Sequence, residues 1–123
     1  MKQTKTNNVF KAFSNAFAGL IYFFRYERNG RIQLVIGILT VILSILLQIE
    51  KYEWIAVLLC IGGVLCAEMI NSALEKLCNY TQPLFNIQIK IIKDVAAGAV
   101  LFISIISALT GTLIFLPKLW QLL

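Results

Sequence analysis

The sequence predicts an all-α membrane protein, one domain over residues 1–123 with three spanning helices behind an N-terminal amphipathic surface helix. Three observations predict it. Hydrophobic residues make up 59% of the 123, against ~45–50% in soluble domains even with Gly counted. Charged residues are only 14%, against about 25%, and mean hydropathy is +0.83. The apolar residues also gather in three long runs. A soluble domain this small must cover its surface with polar groups, and six acids with eleven bases cannot do so. Soluble enzyme, disordered tail and disulfide scaffold are disfavoured together.

The first element is the stretch of about 6–28. Phe10, Phe13, Phe17, Leu20 and Phe24 recur at three- and four-residue steps, an apolar stripe on one helical face. Lys11, Asn15 and Arg25 lie off it. Such a helix suits the membrane interface, with bases among the phosphates, or packs on the bundle.

The spans follow at about 32–49, 54–75 and 95–116. Ile32–Ile49 carries no charge in eighteen residues, near the ~20 needed to cross the hydrocarbon. It starts too late, and lacks a small-residue cleavage site, to be a signal peptide. Trp54–Ala67 is apolar for fourteen residues and continues helically through Glu68, Asn71 and Glu75. Val95–Leu116 is uncharged for twenty-two residues and is expected to stop at Pro117. No internal repeat interrupts this plan.

Charge sets the expected orientation. Lys2, Lys5, Lys11, Arg25, Arg28 and Arg31 precede the first span, and Lys76, Lys90 and Lys93 lie between the second and third. Only Lys51 and Lys118 fall on the opposite side. With the N-terminus and second loop in the cytoplasm, nine of eleven bases are inside, as the positive-inside rule requires. The net charge of +5 suits anionic head groups better than nucleic acid, because the bases are not gathered on an aromatic-interleaved face.

The informative residues are acids where acids are expensive. A charge near the bilayer centre costs at least ~2.5–3.5 kcal/mol. At ~100° per residue, Glu68, Asn71, Glu75 and Asn79 fall within about 80° of arc on one helical face. That face must look into protein or water. One reading is an interhelical hydrogen-bond seam holding an oligomer together. The other is a site for divalent cation and phosphate, since carboxylates hold Mg²⁺ with substrate phosphates. A second carboxylate there can act as general base toward a hydroxyl held in the membrane.

Two further acids sit at the same expected depth. Glu27 lies in Y-E-R-N-G-R between the surface helix and the first span, and Asp94 follows Lys93 before the third. Taken singly, Asp94 reads as a helix N-cap and Lys93 as a snorkelling base. Four of the six acids at one level favour a site. The chain has no histidine, and Cys60, Cys66 and Cys78 fit no zinc spacing and read as small hydrophobes. No standard nucleotide loop is present either. Ala96-Ala97-Gly98-Ala99 permits close helix approach.

E-M-I-N-S-A-L-E at 68–75, K-D-V-A-A-G-A-V-L at 93–101 and E-R-N at 27–29 resemble the prokaryotic diacylglycerol kinase family, which includes undecaprenol kinases. A-F-x-G-L at 16–20 and P-L-F-N at 83–86 agree more weakly. The resemblance implies a homotrimer in the bacterial cytoplasmic membrane, with active sites shared between protomers. It implies phosphoryl transfer from MgATP to a lipid alcohol, with undecaprenol favoured over diacylglycerol. By position, Glu68 resembles the catalytic base in contact with lipid substrate, and Glu27 and Glu75 the metal ligands. Asn71, Lys93, Asp94 and Asn86 resemble the nucleotide contacts, and Ala97 a substrate contact. Two positions depart from the family pattern: Asn79 stands where an acid is usual and Asn86 where a histidine is common. The rival classes are a holin-like pore, an assembly protein and a compact exporter. A pore or an exporter has no need for Glu27, Glu68, Glu75 and Asp94 together at one level.

Overall fold

The computed structural model describes residues 5–123, with side chains from Asn8 onward. Lys2, counted among the cytoplasmic bases, lies outside the described residues. Among the described residues four helices run in order: α1 (Lys5–Tyr26), α2 (Arg28–Leu46), α3 (Lys51–Thr81) and α4 (Ile87–Leu122). The last three are long and apolar enough to cross a membrane, and the chain is a multi-pass membrane protein. Each helix packs mainly on the next, most extensively α3 on α4.

The connections explain the order. The only non-helical residue between α1 and α2 is Glu27, whose extended backbone (φ −98°, ψ 117°) breaks the helix. Gly30 makes this corner possible: a Cβ there would stand 2.6 Å from Cε1 of buried Phe23. Between α2 and α3, Gln48 adopts the left-handed conformation at φ 51°. Its N–H bonds Ile45 O, and the Ile49 N–H bonds Ser44 O, each at 3.2 Å. This is a Schellman closure, and it turns Ile49 onto Val57 and Ile114 in the small buried cluster at that end. Glu50 and Glu53 then form a reciprocal capping box for α3.

Helices α3 and α4 are longer than the apolar runs within them. The sequence between Glu75 and Val95 contains one effective breaker, Pro83, which pushes Gln82 out of helical geometry (φ −143°, ψ 82°). The non-helical connection is therefore only 82–86, and it closes where the Asn86 side-chain oxygen accepts from Gln88 N–H at 2.9 Å and Ile89 N–H at 3.3 Å. The 36 residues of α4 extend for ~54 Å, well beyond a ~30 Å hydrocarbon core.

Pro117 does not end α4, contrary to expectation. It sits inside the helix, which continues to Leu122. A proline removes one donor and crowds the carbonyl four residues back, a local defect that membrane helices tolerate. The next residue, Lys118, pairs with Glu53 at 3.2 Å and ties the end of α4 to the first turn of α3.

The packing is that of a membrane bundle. Leu and Ile side chains along α2, α3 and α4 are largely exposed, while small residues sit at the crossings. Gly37 faces Ile61, with 3.1 Å between an added Cβ and Cγ2 of that side chain. In the Ala96–Ala99 segment only Ala96 is buried, so close approach there is made by one residue.

Candidate active site

The C-terminal half of α3 carries Glu68 and Glu75, and Lys76 of that half reaches the corner between α1 and α2. Glu68 is the deepest of them, 5% exposed, with Oε2 left without a hydrogen-bond partner. Glu27 is the neighbouring charge that bears on it. Burying a carboxylate with an orphaned oxygen is costly, so Glu68 calls for a donor that the single protomer does not supply. Its free lone pair is an acceptor open to a donor from outside the protomer.

Glu27 is positioned by the α1–α2 break. It occupies the N-cap of α2, where an acid ordinarily accepts from its own helix, yet its side chain makes no capping bond. It pairs with Lys76 Nζ at 2.9 Å, across to α3. The same ammonium lies 5.5 Å from the Tyr22 ring centroid of α1. Three elements thus meet within one side chain's reach.

The remaining predicted residues divide by exposure. Asn71 is half-buried, whereas Glu75 and Asn79 are exposed on the protomer. The half-buried Lys93 ammonium donates to Asn79 Oδ1, joining the second turn of α4 to the last turns of α3. This bond, and not free snorkelling, fixes Lys93. Asp94 is not an N-cap; it lies inside α4 and pairs with Lys90 at 2.6 Å on an exposed face. Asn86 is the cap, so its side-chain oxygen is committed to α4. Ala97 is exposed.

Within the protomer the acids do not close into one ligand cluster: among the described residues no group of three or more Asp, Glu, Cys or His side chains converges. Glu27 at the α1–α2 corner and Glu75, exposed two turns beyond Glu68 on α3, are both hard-oxygen donors. That donor set fits Mg²⁺ arriving with nucleotide phosphates better than a resident metal held by protein alone. Lys76 and Tyr22 were not anticipated as site residues. The signal for Lys76 was its place about 80° around α3 from Glu68, hidden because a lysine there also reads as a cytoplasmic flank.

A family model, prokaryotic diacylglycerol kinase, matches residues 14–115. The chain belongs to the prokaryotic diacylglycerol kinase family. It is 34% identical over 117 residues to the undecaprenol kinase of Bacillus subtilis (strain 168), covering 95% of both chains. It is also 33% identical over 117 residues to the diacylglycerol kinase of a Synechocystis species, covering 94% of this chain and 67% of that one. Both relatives match the chain across the junction of Glu27 with the α3 acids and across the second and third spans. In this member of the prokaryotic diacylglycerol kinase family, Glu27 and Glu68 come from the motifs at 27–29 and 68–75, while Lys76 and Tyr22, which meet at the same corner, lie outside both.

Proposed function

We propose that the protein is a lipid kinase that transfers the γ-phosphoryl group of ATP to a membrane lipid alcohol, undecaprenol before diacylglycerol. The observation that carries this reading is the buried Glu68 carboxylate, with its Oε2 lacking a partner within a membrane-spanning helix. A primary hydroxyl held at that depth loses its proton to Glu68 as its oxygen attacks the γ-phosphorus, and ADP leaves. Family membership and the undecaprenol kinase among its relatives support the chemistry and the substrate order.

Glu27 and Glu75 are the residues that would hold Mg²⁺, which when bound would offset the charge of the transferring phosphates. Asn71, Lys93 and Asp94 contact the nucleotide, and Asn86 frames the connecting turn while holding α4 in place. Ala97 leaves room beside the site for lipid. Glu75 stands exposed while Glu27 and Glu68 are drawn inward, which supports a site completed by a neighbouring protomer in a homotrimer. The exposed Phe10, Phe13 and Phe17 of α1 lie against the bilayer surface as an amphipathic helix. The excess of bases before α2 and between Glu75 and Val95 supports a cytoplasmic N-terminus and second loop in the bacterial inner membrane.

The test is magnesium-dependent phosphorylation by purified protein in detergent, with a short-chain polyprenol and a short-chain diacylglycerol as competing acceptors. The reading expects turnover only with Mg²⁺ and acceptor, faster with the polyprenol. Faster diacylglycerol turnover reverses the substrate order. ATP consumption indifferent to both acceptors overturns the kinase.

A further inference from the structure

We propose that Lys76 is a positioning residue, a built-in cation that occupies the place at Glu27 taken by a divalent cation when nucleotide binds. The inference rests on the kinase reading, in which Glu27 is a metal ligand.

Three observations point to it. The Lys76 ammonium is 2.9 Å from Glu27 Oε1, within direct ion-pair contact. Glu27 spends its carboxylate on that contact although it sits at the N-cap of α2, where backbone N–H donors lie within its own helix. The carboxylate is 24% exposed, while the lysine is 53% exposed, so the lysine comes in to the acid from a freer position.

The arrangement solves an electrostatic problem. Glu27 and Glu68 repel one another, and between turnovers no nucleotide-borne cation offsets them. An ammonium on Glu27 neutralises one of the two charges and fixes the carboxylate at the corner where the cation must arrive. When a divalent cation arrives it has twice the charge and takes the carboxylate oxygen directly. Lys76 need not leave the site, because its ammonium already lies 5.5 Å from the Tyr22 ring, a contact that remains when the carboxylate is taken. Tyr22 is itself braced by the Tyr26 ring at 4.8 Å, which in turn carries the Arg25 guanidinium at 5.5 Å. Lys76 thus sets how tightly the empty site holds a metal and keeps the acids in register.

The consequence has a sign that structural damage does not mimic. Removing the ammonium leaves the acids more attractive to a free divalent cation, so affinity should rise. The probe is Mn²⁺ alone, titrated by electron paramagnetic resonance into detergent-solubilised protein without nucleotide. Lys76→Met and Lys76→Gln should bind Mn²⁺ roughly two- to fivefold tighter than the unaltered chain, the range an ion pair of this exposure supports. Lys76→Arg, which keeps the charge, should return the affinity to within about twofold. Either neutral variant alone suffices if the other does not fold. Unchanged or weaker Mn²⁺ binding in the folded neutral variant, with binding lost in Glu27→Gln, overturns the role of Lys76 and leaves the kinase reading intact. Unchanged Mn²⁺ binding in Glu27→Gln overturns Glu27 as a ligand, and the inference falls with it.

Discussion

Lys93 of α4 donates its ammonium to the side-chain oxygen of Asn79 on α3, across the five-residue connection that separates the helices. The bond changes what an acid at position 79 would do. Asn79→Asp turns a charge-to-amide contact into an ion pair and holds Lys93 more firmly to α3. A lysine so held is less available to nucleotide phosphate, so the MgATP concentration for half-maximal rate should rise about two- to fivefold. Preference between polyprenol and diacylglycerol should not move, because Glu68 lies eleven residues, ~16 Å of helix, away. Acceptor competition at several MgATP concentrations checks both halves, and a change in lipid preference alone would mean that this end of α3 faces the lipid.

Glu68→Gln keeps the volume and hydrogen-bonding capacity of the buried side chain and removes its basicity. Phosphorylation should fall by ~10²–10⁴. Thermal unfolding in detergent should stay within a few degrees of the original, since a neutral amide is cheaper to bury than a carboxylate. Activity above about half of the original excludes Glu68 as the base.

Glu27→Gln and Glu75→Gln should separate from Glu68→Gln in a magnesium titration. Each removes half of a two-carboxylate set, so the Mg²⁺ needed for half-maximal rate should rise severalfold. Glu27→Gln has a second effect, because it also releases Lys76. A superimposable magnesium curve for both variants favours the hydrogen-bond seam over the metal site.

Asn86→Ala separates a capping residue from a nucleotide contact. Loss of the bonds to Gln88 and Ile89 should cost about 0.5–2 kcal/mol and fray the first turn of α4. Amide exchange at 87–90 should quicken with or without nucleotide, and Asn86→Ser should restore protection. Exchange that quickens only in the nucleotide complex would assign Asn86 to the ligand.

What could be read beforehand was whatever carries a large local cost. Glu68 inside an apolar run needs a reason wherever the neighbouring helices lie, and the helical period alone set Asn71, Glu75 and Asn79 beside it. The helix ends past Glu75 are harder to read, because the end of hydrophobicity is not the end of the helix. Pro83 followed by Asn86 is a stop-and-cap signal, and it would have placed α4 eight residues before Val95. Pro117 misled in the opposite direction: its cost is local, and the Lys118–Glu53 pair that accompanies the continuing helix joins residues far apart in sequence. The Lys76–Glu27 and Phe23–Gly30 contacts depend on how α1 folds back at one residue, which no periodicity encodes.

The last prediction concerns that corner. Gly30 and Phe23 are both buried, and a methyl group on Gly30 would stand 2.6 and 2.7 Å from Cε1 and Cζ of the ring. Neither distance is tolerable, so in Gly30→Ala either the ring leaves its pocket or α1 swings away from α2. Both movements act on Glu27, which lies between them and whose N–H bonds the Phe23 carbonyl at 2.9 Å. Displacing a reacting group or its partner by ~1 Å can cost ~10²-fold in rate, so Gly30→Ala should lose one to two orders of magnitude of activity without touching an acid. Phe23→Leu alone leaves a small cavity and should cost some stability but less activity. Combined, the smaller side chain makes room for the methyl group, and the double variant should recover much of the activity lost in Gly30→Ala. That non-additivity, read from kcat/KM in a double-mutant cycle, is the measurement. Additive losses would mean that the ring and the glycine do not share the space that fixes Glu27.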